Sequence, residues 1–573
     1  MSGKQLLVLG CSQTKRETPG LLPAIDRYDG SSYRVLRNYL RRRQWPSNLS
    51  VAVLSAKYGL VGGFTGIVDY DERMTKNKAI ELAPTIGHTL ELWAIEHASI
   101  HFSLGKDYIP AIAPALTRGL KGKSEIFEGP IGMKLSQIKG LLEQTNSPIR
   151  RQPHLPEAGS GHVSYFLPDW DDLLDENFDF KSDSFSGTSR QERDDKHCCI
   201  LMKPRRMCDG ILVSLAQHVT SKGPLKRLTG TEEISLSPIK LRSQFGLDDD
   251  QYLFGDCGAF SYVSKEMPSI SVEQAMALYE LHGFDFGASV DHIPVPGVVR
   301  DGKKQNLSNA ERMERIEITK ENAQKFIALA KQRRVGFTPV GTIQAIDPDE
   351  YARTVRLYHE LGYRHMAIGG LVPLPDRLIE QIVTKVMAVA SSLKPRPWIH
   401  LFGIFRPRLQ ARFRELKVDS FDSASYFRKA WLRSDQNYLS PNGKWYAAIR
   451  VPITSDGRTR KRLESSGLNI VELELKEALV MNLLCRYDRD EVGMREVLDG
   501  VIEYDASLTR TSDLRSLRSA YEKTLKDRPW RSCDCPFCQK AGIHVLIFRG
   551  ANRNKRRGAH NTLMLYRSVE TRL

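Results

Sequence analysis

The chain has 573 residues, with 84 Lys and Arg against 68 Asp and Glu, a formal net charge of +16. A single hydrophobic core stops growing near ~250–300 residues, so two or three domains are expected. No apolar run approaches the ~20 residues of a spanning helix, and the opening MSGKQLLVLGCSQTK has too short an apolar core for a signal peptide; the expectation is a cytoplasmic protein with no membrane partner. The positive surplus suits a polyanionic partner, nucleic acid first, although charge alone fits a merely basic enzyme as well.

Residues 1–146 alternate strand-like and helix-like segments: KQLLVLGCS, SSYRVLRNYLRRR, LSVAVLSAKYGL, AIELAPTIGHTLELWAIEHA and SIHFSLG. This predicts an N-terminal α/β layered domain. Cys11, Ser12 and Lys15 follow one strand, and Ser55, Lys57 and Tyr58 follow another. Strand ends of an open sheet line ligand crevices, so a pocket for a small ligand or nucleic acid is one reading. For Cys11 an inert thiol is preferred to a nucleophile. The domain has no Walker A or dinucleotide fingerprint, so no ATP or NAD site is expected.

Residues 147–196 read as a linker. A polar Pro/Gly stretch leads into the acidic, aromatic LPDWDDLLDENFDFKSDSFSG. That segment could dock on a basic face or mimic nucleic-acid charge; a solvated connector is the preferred reading. Residues 197–520 then carry seven or so strand–helix units, with strands in GILVSLA, YLFGDCGAF, DFGASVDHIP, GFTPVGTIQA, HMAIGGLVP, WIHLFGI and DSFDSAS. The pattern predicts a (β/α)8 barrel, whose chemistry sits at the C-terminal ends of the strands. Those ends read Asp256, Asp291, Gln344, Gly369–Gly370 and Asp422.

Residues 521–573 hold RSCDCPFCQK. Cysteines at i, i+2 and i+5 can converge on one tetrahedral cation, and clustered thiols in a reducing compartment bind metal more often than they pair. Cys533, Cys535, Cys538 and a histidine make a closed, structural zinc site. His560 is favoured as the fourth ligand because it opens the helix-like HNTLMLYR; His544, in the β-like IHVLIF, competes. The basic runs RTRKR at 458–462 and RNKRR at 553–557, with Arg428, Lys429 and Arg433, are candidates for phosphate contact. From RNKRR, Arg553, Lys555, Arg556 and Arg557 are the expected contacts, because they flank His560.

The CDCPFC…HN pattern resembles the zinc signature of the tRNA-guanine transglycosylases, and the barrel motifs follow in that family's order. LFGDCGAFSY resembles the segment carrying Asp-x-Gly-Gly-Phe, with Ala259 at the second Gly. ASVDHIPVP resembles the strand end with a base-recognising Asp. GTIQA resembles Gly-x-x-Gln-Gly, with Ala345 at the last Gly, IGGLVP the Gly-Gly-Leu loop, and SFDSASYFRKA the archaeal-type nucleophile segment. The match spans about residues 200–573. The N-terminal CSQTK…SSYRVLR…LSAKYGLV looks like a YaaA-like domain, and the combination resembles the DpdA-type branch, which places 7-deazaguanine bases in DNA.

That resemblance implies a pentosyltransferase exchanging guanine in DNA for a 7-deazaguanine base such as preQ0, with transfer of a queuosine or archaeosine precursor into tRNA as the alternative. Asp422 would be the nucleophile for C1′ and Asp256 the acid/base. Asp291, Gln344, Gly369, Gly370 and Leu371 would hold the purine. Taken singly, Asp256, Asp291 and Asp422 could each cap a turn or helix, and Gly369–Gly370 could be a plain turn; their joint order argues otherwise. Cys257 is expected to be a packing residue. An ATPase partner is expected if strand separation needs energy, and a homodimer is compatible with the family. A non-catalytic partner subunit is the competing class.

Overall fold

The computed structural model describes residues 3–120, 122–150, 157–169, 172–193, 195–215, 235–432, 435–454, 457–465, 468–508 and 514–570. The first unit is a five-stranded sheet of β1 (Gln5–Gly10), β2 (Leu49–Ser55), β3 (Gly59–Gly62), β4 (Ser99–Ser103) and β5 (Ser124–Ile126), in the order β3-β2-β1-β4-β5. Only β3 runs antiparallel to its neighbour. Every residue of β2 is buried, as a strand covered on both faces requires. The covering helices are α1 (Ser31–Arg42) and α4 (Ile131–Gln144) over one core, and α2 (Lys76–Glu96) and α3 (Ile109–Arg118) over the other. At the carboxyl ends of these strands Cys11 Sγ lies 3.0 Å from the Tyr108 hydroxyl, and Lys15 and Lys57 stand over the Tyr70 ring.

The second unit is a closed barrel of eight parallel strands. They are β6 (Ser164–Pro168), β7 (Gly210–Ser214), β8 (Tyr252–Asp256), β9 (Phe286–Ala288), β10 (Thr338–Ile343), β11 (His365–Ile368), β12 (Trp398–Leu401) and β13 (Ser420–Asp422). Seven strands lie in the segments expected from sequence. The eighth, β6, lies inside the stretch read as linker and closes the barrel between β13 and β7. Its five residues, SYFLP, end on proline between polar segments, so no periodicity announces it. Side chains at alternate positions, including Phe166, Phe254, Phe286, Val340 and Trp398, fill the interior. Phe286 and Trp398 stack with planes 13° apart. The barrel is therefore plugged below its mouth, and whatever binds must bind at the strand ends. Helices α5 (Val272–Leu281), α6 (Asn309–Arg333), α7 (Pro348–Leu361) and α8 (Asp376–Ser392) pack around it. The N-terminal unit leans on α5 through an Arg41–Glu280 ion pair at 3.1 Å.

The chain finishes in a helical region whose last element is α9 (Gly550–Glu570). His560 thus lies in the middle of a helix, where the sequence reading had it opening one. The acidic, aromatic segment after β6 packs on α9. Asp183 pairs with Arg549 and Arg553, and Phe180 stacks on His544 at 5.2 Å. It docks on a basic face within its own chain; the solvated-connector reading is corrected. No helix among the described residues is long and apolar enough to cross a membrane.

Candidate active site and metal centre

Three carboxylates meet at the mouth. Asp256 is the last residue of β8. Gly258, at φ +82, turns the chain back so that its N–H donates to Asp256 Oδ2 at 3.1 Å; only glycine takes that backbone at no steric cost. Asp291 follows β9 and is buried. Cys257 donates its thiol proton to Asp291 Oδ1 at 2.7 Å, and Gln344 Nε2 donates to Oδ2 at 2.6 Å. Cys257 is buried as expected, but its thiol also orients a carboxylate. Tyr262 donates to the Asp291 carbonyl at 2.8 Å.

Burial, then the negative charge of Asp291 and Asp422, pushes the Asp256 carboxyl up to about 8. Burial also raises Asp291, against the pull of its bonds from Cys257 and Gln344. Asp256 is therefore a carboxyl that keeps its proton at neutral pH, which an acid catalyst needs.

Asp422 ends β13 and is 6% exposed. Gly403 N–H donates to Oδ1 at 2.7 Å, and His400 Nε2 lies 3.1 Å from the same oxygen. Among the described residues Oδ2 carries no hydrogen bond. With Oδ1 as the acceptor of this pair, His400 donates from Nε2. Its Nδ1 lies 2.7 Å from the Ser420 hydroxyl. Sequence reasoning missed His400. Its signal was a lone imidazole on the inward face of WIHLF, two residues from Trp398, and inward polar groups in a barrel need a partner.

Gln344, just past β10, lies against Gly369 and Gly370. A side chain at Gly369 would meet its Nε2 at 2.2 Å, and one at Gly370 (φ +74) would meet its Oε1 at 2.8 Å. Gln344 Oε1 is buried without a hydrogen-bond partner. Such an orphan costs roughly 1–3 kcal/mol, which a ligand N–H would relieve. Leu371 is buried behind this loop, and Ala259 and Ala345 are buried as well. Phe260, beside Asp256, is 60% exposed, and sequence reasoning did not single it out.

In the C-terminal region Cys533, Cys535, Cys538 and His560 come together, all buried. The three sulfurs lie 3.5, 3.4 and 3.5 Å from His560 Nδ1. A tetrahedral cation ~2.3 Å from sulfur and ~2.0 Å from nitrogen sets that separation at about 3.5 Å. His560 Nε2 lies 2.7 Å from the Leu439 carbonyl, which makes it the donor and leaves Nδ1 its lone pair. The cluster can bind a metal. His544 is elsewhere, against Phe180 and 3.7 Å from Cys485. Asn561 accepts from Leu439 N–H and donates to the Asn437 and Tyr426 carbonyls, so the His-Asn pair fastens α9 to the chain just after the Asp422 segment.

The expectation that Arg553, Arg556 and Arg557 contact nucleic acid is corrected. All three are buried on the face of α9 that carries His560, at helical spacing. Arg553 bonds Asp183 and the Phe180 carbonyl. Arg556 bonds Asn552 and the Asp175 carbonyl, and Arg557 the carbonyls of Ala430, Val545 and Ile547. Lys555 donates to the Leu173 carbonyl at 3.2 Å. Arg428 is exposed, and Lys429 stands 4.2 Å over the Trp445 ring. Arg433 and the side chains of Arg458 and Arg462 lie outside the described residues.

Comparison with known proteins agrees with this geometry. The family model described as queuine tRNA-ribosyltransferase matches residues 269–551. A DNA-guanine transglycosylase of Salmonella montevideo is 33% identical over 412 residues, 71% of this chain and 97% of that protein. A tRNA-guanine(15) transglycosylase of Pyrococcus furiosus is 28% identical over 198 residues, 34% of this chain and 31% of that protein. A barrel with these strand-end residues, matched along nearly the whole of one relative, places this chain in the guanine transglycosylase family.

Proposed function

We propose that this protein exchanges guanine in DNA for a 7-deazaguanine base, preQ0 by family resemblance. Asp422 Oδ2 attacks C1′ of the deoxyribose. The C1′–N9 bond breaks, its electron pair leaves with guanine, and Asp256 supplies the proton that guanine takes up. The sugar is held as an aspartyl ester. The incoming base then gives its proton to Asp256 and attacks C1′, the ester bond breaks, and both carboxyls return to their starting states. Two displacements at one carbon retain its configuration.

The observation that carries this reading is the division of labour between two neighbouring carboxyls. Asp256 holds its proton up to about 8. Asp422 has one oxygen fixed by His400 and Gly403, and the other carries no hydrogen bond among the described residues. For the base, Asp291 keeps acceptor capacity on each oxygen for guanine N1–H and the 2-amino group, and Gln344 Oε1 awaits a donor. Gly369, Gly370 and Leu371 bound the purine edge, and Phe260 offers a ring face for stacking. The target guanine must leave the stack to reach this depth. Cys533, Cys535, Cys538 and His560 would hold a structural Zn2+, all four positions being taken by protein. Arg428 and Lys429, next to the Asp422 strand, are the phosphate contacts retained from the sequence reading.

DNA is preferred to tRNA because the DNA-guanine transglycosylase aligns over 97% of its length and the archaeal tRNA enzyme over 31%. The test is nucleoside mass spectrometry on DNA and tRNA from cells that make preQ0 and express this chain, with and without an ATPase encoded nearby. A 7-deazaguanine 2′-deoxynucleoside is expected, absent with Asp422→Asn. The ribonucleoside in tRNA alone would overturn the DNA reading.

A further inference from the structure

Between Asp291 and α6 the chain makes an antiparallel hairpin that nothing above uses. Its strands are Gly297–Arg300 and Lys303–Asn306, with Val298 opposite Gln305, Val299 opposite Lys304 and Arg300 opposite Lys303. Asp301 and Gly302, both at positive φ, form the tight tip. The base of the hairpin is fastened to both loops of the mouth. Arg300 Nε donates to the Ser264 carbonyl in the Asp256 loop at 2.9 Å, and Leu307 N–H to Pro296 in the Asp291 loop at 2.9 Å. His292 Nε2 ties the two loops together, 3.0 Å from the carbonyls of Lys265 and Glu266.

Past that anchor the ribbon stands clear of the protein. Residues 301–306 are all exposed, and Val299 is 55% exposed. Val298 packs inward, so Val299 and Lys304 form a pair on the opposite, outer face. Neither Lys303 nor Lys304 is paired with a carboxylate among the described residues. A two-stranded ribbon is marginal by itself, and two ammonium groups without a carboxylate, Lys304 beside the exposed valine and Lys303 on the other face, do nothing for the fold. A phosphate backbone supplies the missing charge, and a two-stranded ribbon fits a duplex groove.

We propose that this hairpin is a DNA finger. Lys303 and Lys304 neutralise phosphates beside the exchanged guanine, and Val299 packs against the nucleotides left behind when that guanine leaves the stack. The inference rests on the DNA-exchange reading above, and it assigns the contact to a different place from the RNKRR run.

The test uses the full-length protein with a guanine-containing duplex, the matching single strand, and tRNA. Each phosphate contact contributes about −0.9 to the slope of log K against log salt on B-DNA. Lys303→Ala/Lys304→Ala is expected to flatten the duplex slope by about 1 to 2, with Lys303→Arg/Lys304→Arg restoring it. Val299→Gly is expected to slow exchange more on duplex than on single strand. If wild type exchanges DNA while the alanine pair keeps its slope and Val299→Gly its rates, the finger is wrong and the function stands. If wild type exchanges tRNA alone, the function reading fails and the DNA finger with it.

Discussion

The barrel mouth and the clasp around α9 are both crowded with buried charge, and they differ in what is left unpaired. In the clasp, Arg553, Arg556 and Arg557 spend nearly all their donors on carbonyls and carboxylates of the same chain, Arg553 Nε being the exception. At the mouth three carboxylates share a small space, one keeps its proton, and Gln344 Oε1 has no partner. A cluster whose charges are nearly all answered within the chain builds the fold; one that crowds like charges and leaves an acceptor open suits something that arrives later. Charge in the sequence marks both kinds alike.

The sharpest way to break this contrast is at the cysteines. Zinc ties a Cys3His site by ~10–16 kcal/mol in small metal-bound units. Wild type is expected to carry one zinc per chain, and Cys535→Ser to lose it and unfold the C-terminal region. Elemental analysis with hydrogen exchange reads both; wild type without zinc would end the metal assignment.

Arg557 comes next. Burial lowers its guanidinium to about 9, with no carboxylate among the described residues to compensate. Arg557→Ala leaves buried carbonyls without a donor, at roughly 1–3 kcal/mol each. Its urea midpoint is expected to fall while the salt slope of DNA binding stays put. A flattened slope with unchanged stability would return this arginine to the nucleic-acid interface.

The subtlest effect is the pH response of Asp256. Its folded value, about 8, lies above the ordinary carboxyl range of ~3.9. Between those values the folded state holds a proton that the unfolded state has released. The stability this proton brings is complete below the unfolded value and is lost as pH rises towards 8. The kcat/KM for nucleic acid, which needs the protonated acid, is expected to fall above about 8, and Asp256→Asn is expected to remove both trends. A profile flat to pH 9.5 would reassign the acid.

The sequence carried the barrel because seven strands are apolar runs at regular spacing, and it carried Asp256, Asp291, Gln344 and Asp422 because strand ends are where barrels keep their chemistry. It hid β6, whose five residues end on proline. It hid the face of α9, where arginines occupy positions at which helical periodicity leads one to look for leucine. It hid His400 for the opposite reason: one polar residue in an apolar strand is easily passed over, and only its contact with Asp422 shows what it does.

The seam of the barrel sets an order of assembly. Asp422 is in register with Phe166 of β6, and the pair joins the last strand to the first. As the ribosome releases the chain, β6 can pair with β7 early, but its other edge must wait for nearly the whole barrel to emerge before β13 exists. Long-range parallel pairing of this kind closes late and slowly. The carboxylate proposed as nucleophile therefore takes its place at the end of folding, when α9 and its histidine can brace the seam from outside. A barrel not yet closed holds its other two carboxylates without Asp422 in register, so the proposed exchange would begin only once the seam is shut.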